Sequence, residues 1–339
     1  MTLQVSVLGA SGYAGGELIR LVDDHPEMEI AYLGAHSRAG SRLGDVHPHL
    51  GGAARRLEPI RSDLPDRIDL AFLALPHGSS WEPAHLLAEA GVAVFDLGSD
   101  YRMDTPKRYE AAYGSPHPLP AELPSWLYGL PELFGDTLPG ARRVAVPGCY
   151  PTSALLGLAP LLSAGLIEGP IVVDSMSGVT GAGRGLKAGL LYGAVDESVK
   201  AYGVTTHRHR PEIEMGLEAA TGAHAPVQFT PHLVPMQRGI LSTCSATLTR
   251  AGAIDPVLRA AYDRTAFVDV IDVPPETRWV VGSNRALVHA AEDAPTGRAI
   301  ITVAIDNLGK GAAGQAIQCA NLALGLPEAS GLTAVGWLP

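Results

Sequence analysis

The N-terminal part of the chain alternates short apolar runs with segments whose apolar residues recur every three or four positions. The apolar runs predict β-strands at residues 4–8, 29–33, 70–75 and 93–97. The periodic segments predict helices at residues 17–22 and 81–90. Because strand and helix alternate here, the pattern is typical of a parallel sheet. We therefore predict an α/β domain with a parallel sheet in this part.

The pattern changes after this first part of the chain. One helical segment, residues 151–164, is followed by strand-like runs that no helix separates each time, at residues 171–174, 228–235, 240–249 and 299–306. Strands that cluster in this way favour an α+β domain with a largely antiparallel sheet. A last helix is predicted at about residues 311–325. We assign residues 1–148, with the C-terminal segment 311–339, to the first domain, and residues 149–310 to a catalytic and oligomerisation domain.

Composition excludes several classes of protein. The chain of 339 residues is 46% hydrophobic and has 25 basic and 35 acidic residues, a formal net charge of -10. Such a chain is long enough for two folded domains, and its charge repels nucleic acids and acidic membrane surfaces. It has no apolar stretch of about 18 residues and no secretory leader at its start. We expect a mature chain that begins near residue 1 and binds neither nucleic acid nor membrane.

The three cysteines, Cys149, Cys244 and Cys319, are odd in number and far apart. This spacing argues against a disulfide framework or a paired-cysteine metal site, and it favours a reducing compartment, the cytoplasm. Cys244 lies in an alternating strand pattern and Cys319 in a helical run, so both are expected to be buried small residues. Cys149 differs because glycine and proline flank it.

A glycine-rich turn joins the first predicted strand to the first predicted helix. It has the spacing G-x-x-G-x-x-G, and its candidate cofactor contacts are Gly9, Ser11, Gly12, Tyr13, Ala14 and Gly15. Glycine lets the backbone approach a pyrophosphate at a helix N-terminus. The strand before the turn and the helix after it are the context that this motif requires. We therefore predict a Rossmann-type nucleotide-binding domain; the alternative is a tight turn without a ligand.

The end of the second predicted strand bears on the choice of cofactor. Enzymes that prefer NAD usually have a carboxylate there, which accepts hydrogen bonds from the ribose hydroxyls. This chain reads GAHSR instead, so the side chains available are those of Ser37 and Arg38. A hydroxyl and a guanidinium suit an adenosine 2′-phosphate. The sequence predicts NADP rather than NAD.

Cys149 stands in the run VPGCYPTS, after a Pro-Gly turn and before a helical pattern. We expect it at or beside a helix N-terminus, where unpaired amides and the helix dipole stabilise a thiolate. The same amides can receive an oxyanion when a carbonyl carbon is attacked. Cys149 is therefore the candidate nucleophile, and an unreactive cysteine near a turn is the alternative.

The densest polar cluster of the chain is the run HRHRPE. Its imidazoles, His207 and His209, can move protons near neutral pH, and Glu212 can orient one of them. Its guanidinium groups, on Arg208 and Arg210, can hold a phosphate or a carboxylate. The cluster lacks obvious further metal ligands nearby, so we predict no metal site. The remaining alternative is an exposed polar loop.

Two loops add candidate ligands. Arg102, in the run DLGSDYR, follows a predicted strand at the edge where open α/β sheets bind ligands, so it is a candidate for holding an anion. A surface salt bridge is the alternative for this arginine. The run SGVTGAGRG begins with Ser177 and Gly178 and is too glycine-rich for a core element. It is expected to wrap phosphate or nicotinamide, or else to be a flexible loop.

Eight segments together resemble the N-acetyl-gamma-glutamyl-phosphate reductase family over essentially the whole chain. They are GASGYAGGEL, ALPHG, DLGSDYRM, YGLPEL, VPGCYPTSALLGL, THRHRPEIEMGL, FTPHLVPMQRGILST and DNLGKGAAGQAIQCANLALG. The GCYPT and HRHxPE segments in this order distinguish that family from the more distant aspartate-semialdehyde and glyceraldehyde-phosphate dehydrogenases, which share the architecture.

The resemblance implies a role for each candidate. It makes Cys149 the nucleophile and His207 the acid/base, with His209 as the alternative. It implies that Arg102 or an arginine of the HRHR segment helps to bind the phosphate. It also places Asn307 near the nicotinamide.

The reaction implied is the NADPH-dependent reduction of a small acyl phosphate, N-acetyl-γ-glutamyl phosphate, to N-acetylglutamate 5-semialdehyde through a thioester, by a homo-oligomer, either a dimer or a tetramer. One alternative is the sister reductase of lysine biosynthesis, which acts on an aminoadipyl phosphate carried on a small acidic protein. Its members tend to read GCNAT where this chain reads GCYPT. Another alternative is a regulator that senses NADP without catalysis, although a sensor needs neither the cysteine nor the histidine cluster.

Overall fold

The computed structural model describes residues 2–50, 54–61 and 67–337. Over these residues, the strands form two sheets of seven strands each. Within the same ranges, no helix is both long enough and apolar enough to cross a membrane.

The first sheet belongs to the N-terminal part. Its strands are β1 (Leu3–Leu8), β2 (Met28–Ala35), β3 (Glu58–Pro59), β4 (Leu70–Leu73), β5 (Ala93–Asp96), β6 (Leu127–Tyr128) and β7 (Arg143–Ala145). They pair in the order β3-β2-β1-β4-β5-β7-β6, and all the pairings described are parallel. The helices of this part are α1 (Tyr13–Asp23), α2 (Leu43–Val46), α3 (Trp81–Glu89), α4 (Pro106–Tyr113) and α5 (Pro131–Phe134). The predicted parallel sheet is confirmed.

The central strands of this sheet form where the sequence has continuous apolar runs. β4 and β5 are buried at every position. Such runs fit parallel strands that are covered on both faces. The edge strands β3 and β6 have two residues each, so they are too short to show a period and were not predicted.

The second sheet is largely antiparallel, as predicted. Its strands are β8 (Ile167–Ser177), β9 (Lys200–Ala201), β10 (Val227–Leu233), β11 (Ile240–Leu248), β12 (Val268–Val270), β13 (Ala286–Asp293) and β14 (Arg298–Ile305). They pair in the order β12-β13-β14-β11-β8-β10-β9, with only the β8–β10 and β12–β13 pairings parallel among those described. The helices are α6 (Cys149–Ser163), α7 (Tyr192–Val195), α8 (His209–Thr221) and α9 (Ile254–Tyr262).

The two faces of the second sheet differ in burial. Along β10, Val227, Phe229 and Leu233 are buried, whereas Gln228 between them is exposed. The buried face packs against α6, α8 and α9 and forms the main core of this domain. This alternation is typical of a sheet covered on one side by helices. The other face is partly open, and Met176 of β8 is exposed on it.

The C-terminal part of the chain returns to the first sheet. A π-helical turn, Gly309–Ala313, leads into α10 (Gly314–Ala323). The buried residues of α10, among them Ile317 and Ala320, join the core formed by the first sheet and α1. The fully buried Nζ of Lys310 donates to both carboxylate oxygens of Glu132, at 2.7 and 2.8 Å, and fixes this turn beside α5. The exact domain boundaries stay a prediction.

Candidate active site

The parallel pairing of the first sheet brings the candidate residues to one edge. The carboxyl ends of parallel strands point the same way, so the loops after them meet. The glycine loop follows β1, and Ser37 follows β2. Arg102 follows β5, and Cys149 follows β7. The site thus lies where open α/β sheets bind ligands.

Two glycines of the glycine loop are required by close contacts. Gly9 has a φ of 90°, and a Cβ there would overlap the carbonyl oxygen of Ala74. A Cβ on Gly15 would overlap the carbonyl oxygen of Gly9. These contacts let α1 start directly against the end of β1.

The third glycine leaves the start of α1 open. Gly12 is the N-cap of α1, no side chain caps this end, and a Cβ on it would meet only the oxygen of Gly9 at 3.4 Å. The first amides of a helix have no partner within the helix, and they attract anions. A dinucleotide pyrophosphate fits this turn, where Ser11, Tyr13 and Ala14 also lie.

Ser37 and Arg38 lie at the same edge as the glycine loop. The amides of Gly9 and Ala10 both donate to the carbonyl of Gly34, near the end of β2, at 2.9 Å. Ser37 and Arg38 follow in the next turn, and both are exposed. Their side chains are therefore open to a ligand that lies across the ends of β1 and β2.

Asp100 joins the loops after β4 and β5 and so holds Arg102 in place. Its carboxylate accepts from the amides of Gly78, at 2.7 Å, and Ser80, at 3.0 Å, and pairs with Nδ1 of His77 at 2.8 Å. Burial alone raises the pKa of Asp100, but these bonds outweigh it and lower the pKa to about 2. The loop that leads into Arg102 is thus fixed by an ionised carboxylate.

Arg102 is buried and bound on three sides. Its Nε donates to the carbonyl of Val146 at 2.9 Å, and Nη2 donates to that of Leu97 at 2.7 Å. Its Nη1 lies 3.3 Å from Glu212, and a Cβ on Gly148 would lie 2.9 Å from this nitrogen. Arg102 is therefore not a surface salt bridge but a buried cation beside the loop that precedes Cys149.

Glu212 holds Gly148, the residue before Cys149. This fully buried carboxylate accepts from the amide of Gly148 at 2.7 Å, from the hydroxyl of Tyr128 at 3.0 Å and from Arg102. The sequence suggested that Glu212 orients a histidine. In the structure its oxygens accept from the amide of Gly148 and from Arg102 instead, because α8 places Glu212 next to Gly148. Sequence reasoning gave Tyr128 no role, although its YGLPEL segment belongs to the resemblance.

Cys149 is the first residue of α6, as predicted, with Gly148 as the N-cap. Burial raises the pKa of its thiol to about 11, and the charge of Arg102 and the amides of Tyr150 and Cys149 offset burial only in part. The prediction of a stabilised thiolate is therefore wrong for the free protein. The resting group is a thiol.

The two histidines of the cluster contact each other, and both contact the ring of Tyr150. His209 is buried, and a Cβ on Gly148 would lie 2.7 Å from its Nε2. The ring of His207 contacts those of Tyr150 and His209, with centroids 5.8 and 4.9 Å away, and its Nδ1 accepts from the amide of His209 at 3.2 Å. His209 is thus the histidine that borders the residue next to Cys149.

Burial keeps both imidazoles neutral. It lowers the pKa of His207 to about 4, with a further contribution from the charge of Arg208. Burial also lowers the pKa of His209 far below its usual range, as do the neighbouring His207 and Arg102. A neutral imidazole can accept a proton from a thiol. Both rings are therefore in the form that a general base needs.

The two arginines of the cluster have different surroundings. Both are exposed, and Arg208 acts on the pKa of each histidine, so it lies near the pair. Arg210 pairs with Glu214 along α8 at 3.3 Å. Over the described ranges, no three His, Cys, Asp or Glu side chains lie together as metal ligands.

Asn307 meets the glycine-rich loop that begins with Ser177 and Gly178. Its Nδ2 donates to Oγ1 of Thr180 at 2.9 Å, and its Oδ1 accepts from the amide of Gly239 at 2.8 Å. The buried Ser177 and Gly178 lie in the same cluster. The chain then continues to Gly311, where a Cβ would lie 2.8 Å from that of Cys149. Gly311, four residues after Asn307, therefore lies beside Cys149.

One further aromatic residue lines the site. The hydroxyls of Tyr202 and Tyr150 are hydrogen-bonded at 2.8 Å, and the ring of Tyr202 meets that of His207 with centroids 5.5 Å apart. Tyr202 lies five residues before His207, in a segment without a clear period, so no sequence signal identified it.

Replacing Glu212 with glutamine is expected to destabilise the fold and to slow turnover. The change leaves the buried Arg102 without its counter-charge, which typically costs about 3 to 5 kcal/mol. Urea denaturation, which gives the free energy of unfolding, measures this loss of stability. Glu214→Gln is the matched control on the same helix, because its charged partner Arg210 is exposed, such pairs contribute about 1 kcal/mol or less, and the amide oxygen of glutamine can still accept from the amide of Val227. Equal losses in the two variants would contradict the anchoring role.

Two family models cover most of the chain. Residues 4–141 match "Semialdehyde dehydrogenase, NAD binding domain", and residues 149–307 match "Semialdehyde dehydrogenase, dimerisation domain". Among curated relatives, the N-acetyl-gamma-glutamyl-phosphate reductase of Pseudarthrobacter chlorophenolicus is 48% identical over 353 residues, with 100% of both chains covered. The protein of that name from Moorella thermoacetica is 42% identical over 348 residues, with 99% of this chain and 100% of the relative covered.

Solved structures of more distant proteins share the fold. Aspartate semialdehyde dehydrogenase II from Vibrio cholerae superposes with a TM-score of 0.72 at 18% identity, over 95% of this chain and 98% of that one. Aspartate semialdehyde dehydrogenase with NADP from Candida albicans gives a TM-score of 0.66 at 18% identity and the same coverage. These likenesses support the two-domain architecture.

Proposed function

Because the chain belongs to the N-acetyl-gamma-glutamyl-phosphate reductase family, we propose that it performs this family's reaction on a thioester formed at Cys149. The reaction reduces N-acetyl-γ-glutamyl phosphate to N-acetylglutamate 5-semialdehyde, with release of phosphate, in arginine biosynthesis. The observation that carries the proposal is a cysteine at a helix N-terminus whose preceding residue, Gly148, is bordered by both the cation of Arg102 and the neutral ring of His209. The shared name of the relatives does not favour the lysine-pathway reductase or a non-catalytic sensor.

In the first half of the reaction, the sulfur of Cys149 attacks the acyl-phosphate carbon. We assign the thiol proton to His209, since its ring borders Gly148, and keep His207, which the resemblance favoured, as the alternative. The S–C bond forms, the C–O bond to phosphate breaks, and phosphate leaves as an anion. The amides at the start of α6 stabilise the oxyanion, and the charge of Arg102 favours the anionic groups. We keep Arg208 and Arg210 as candidate phosphate contacts.

The second half returns the enzyme to its starting state. NADPH, when bound, supplies a hydride to the thioester carbonyl. Collapse of the hemithioacetal oxyanion then breaks the S–C bond and releases the aldehyde, and the histidine returns its proton to the sulfur of Cys149. The residues that would hold the cofactor are the glycine loop for the pyrophosphate, Ser37 and Arg38 for the 2′-phosphate, and the Ser177 loop with Asn307 for the nicotinamide.

Replacing Arg38 with alanine is expected to raise the Michaelis constant for NADPH about 10- to 100-fold, because a charge-assisted bond to phosphate is lost. The constant for NADH should change little, since NADH lacks the 2′-phosphate. Steady-state kinetics with both cofactors measure this. Arg42→Ala removes a nearby exposed charge and is the control. Equal effects of Arg38→Ala on the two cofactors would mean that the 2′-phosphate is held elsewhere.

The reverse reaction provides the direct test of function. Purified protein is supplied with N-acetylglutamate semialdehyde, NADP and inorganic phosphate, and NADPH formation is expected only when all three are present. A folded protein that binds NADP but forms no NADPH would contradict the proposal and support a sensor. Comparison of the free acetylated acyl phosphate with a carrier-linked aminoadipyl phosphate separates the two pathways.

We further propose that the chain forms homo-oligomers, dimers or tetramers, through the open face of the second sheet. That sheet lies in the region matched by the dimerisation-domain model, and its exposed Met176 is followed along the chain by exposed Leu186 and Tyr192. A second copy would cover this apolar surface. Sedimentation as a monomer at micromolar concentration would contradict the proposal.

Three cysteines without disulfide bonds support a cytoplasmic location.

A further inference from the structure

An arginine of the catalytic domain, Arg184, reaches across to the glycine loop. Arg184 follows Gly183, whose φ of 80° turns the loop after Val179–Ala182 outward. Its Nη1 lies 3.4 Å from the carbonyl oxygen of Ser11, in the glycine loop. The side chain is exposed. The contact is long and joins a full charge to a neutral carbonyl, so it is weak and easily exchanged.

The glycine loop has no cation of its own. From Gly9 to Gly16 the sequence has no charged side chain, and the whole chain is negative. A pyrophosphate at this loop brings two negative charges to amides that have only partial positive charges. An additional cation would therefore strengthen the binding of a dinucleotide.

Arg184 supplies charge at the position where it is needed. The ring of His47 lies against this loop, with Nε2 2.9 Å from the carbonyl oxygen of Ala10. Burial lowers the pKa of His47, and the charge of Arg184 lowers it further, which agrees with the position of the guanidinium beside Ser11.

The other arginine that reaches this region from the second domain is already paired. Nη1 and Nη2 of Arg238 donate to Glu17 of α1 at 3.1 Å, and its Nε donates to Asp306 at 3.1 Å. Its charge is neutralised by two buried carboxylates. Arg184 has no such carboxylate partner among the residues described, so its charge is available to a ligand.

We propose that Arg184 releases the Ser11 carbonyl when the dinucleotide binds and pairs with its pyrophosphate. The catalytic domain would then contribute a cofactor ligand of its own. Because Arg184 lies in the loop that begins with Ser177 and Gly178, the same contact draws the nicotinamide-side residues towards the cofactor. The inference rests on the proposed function, since it requires a nicotinamide dinucleotide at the glycine loop.

The test compares direct binding of NADPH and NADH, measured by fluorescence titration. Arg184→Ala should raise the Kd of both cofactors by the same factor, about 10- to 100-fold, because the two share the pyrophosphate. The Kd should also depend less on salt in this variant, since one ion pair is lost. Arg184→Lys should recover part of the affinity. The control Lys187→Ala, an exposed charge three residues away, should change Kd less than twofold.

Several results would overturn the inference. One is an unchanged Kd in Arg184→Ala. A second is a loss of affinity for NADPH alone, which would assign Arg184 to the 2′-phosphate. A third is an equal loss of affinity in Lys187→Ala, which would indicate a general field effect. Failure of the proposed function looks different. In that case the wild-type protein would bind both cofactors with the predicted dependence on Arg184 but would catalyse no phosphate-dependent NADPH formation.

Discussion

Replacing Cys149 with serine is expected to lower reductase turnover by about 10³-fold or more, because a hydroxyl is a far weaker nucleophile than a thiol and forms an ester rather than a thioester. The Kd for NADPH should stay within about twofold, since the glycine loop and the nucleophile are separate parts of the site. Turnover and fluorescence titration measure the two quantities on the same sample. Single-turnover release of phosphate from the acyl phosphate should be lost as well.

A second cysteine variant makes this result specific. Cys244 is fully buried in the second sheet, and burial raises the pKa of its thiol to about 12. Cys244→Ala should therefore keep turnover per folded molecule close to that of the wild type, even where the lost packing lowers stability. If Cys149→Ser retained turnover within tenfold of the wild type, Cys149 would not be the nucleophile.

The sequence predicted those parts of the fold that have strong local patterns. Fully buried strands such as β4 and β5 have continuous apolar sequences that predict a strand by themselves, and the glycine turn marks the start of α1. β8 was predicted as residues 171–174 but spans Ile167–Ser177, because its exposed positions, including Glu168 and Asp174, interrupt the apolar run. A strand that is buried on one face only has a continuous apolar run shorter than the strand itself, and two-residue edge strands are too short to show a hydrophobic pattern.

For the site, the sequence predicted where some candidate residues lie in the fold but not their contacts or charge states. Proline and glycine around Cys149 predicted its position at a helix start. Its pKa depends instead on burial, to which distant elements contribute. Glu212 binds an amide 64 residues away in the chain, so no local spacing could assign it to Gly148. Arg102 was predicted as a candidate for holding an anion, and its bond to Glu212 is equally non-local.

Replacing His209 with asparagine is expected to lower turnover by roughly 10²- to 10⁴-fold, the usual contribution of a general base. The thiol of the free protein has a pKa of about 11, so little thiolate exists at neutral pH and its proton must be removed during attack. Both histidines contact the ring of Tyr150, but His209 borders Gly148, whereas His207 lies against the ring of Tyr202. His207→Asn should therefore affect mainly the Michaelis constant for the acyl phosphate.

The pH dependence of kcat/KM distinguishes the two histidines independently of how far each variant lowers turnover. Burial lowers the pKa of His209, so the base form persists well below pH 6.5, and activity should fall only as the pH drops through that lowered value. This acid limb should disappear in His209→Asn and persist in His207→Asn. The two variants form a matched pair, because each removes one neutral imidazole from the same cluster. A larger turnover defect in His207→Asn, together with loss of the acid limb there, would return the acid/base role to His207, as the resemblance implied. His209 would then act through its contact with Gly148 on the position of the nucleophile.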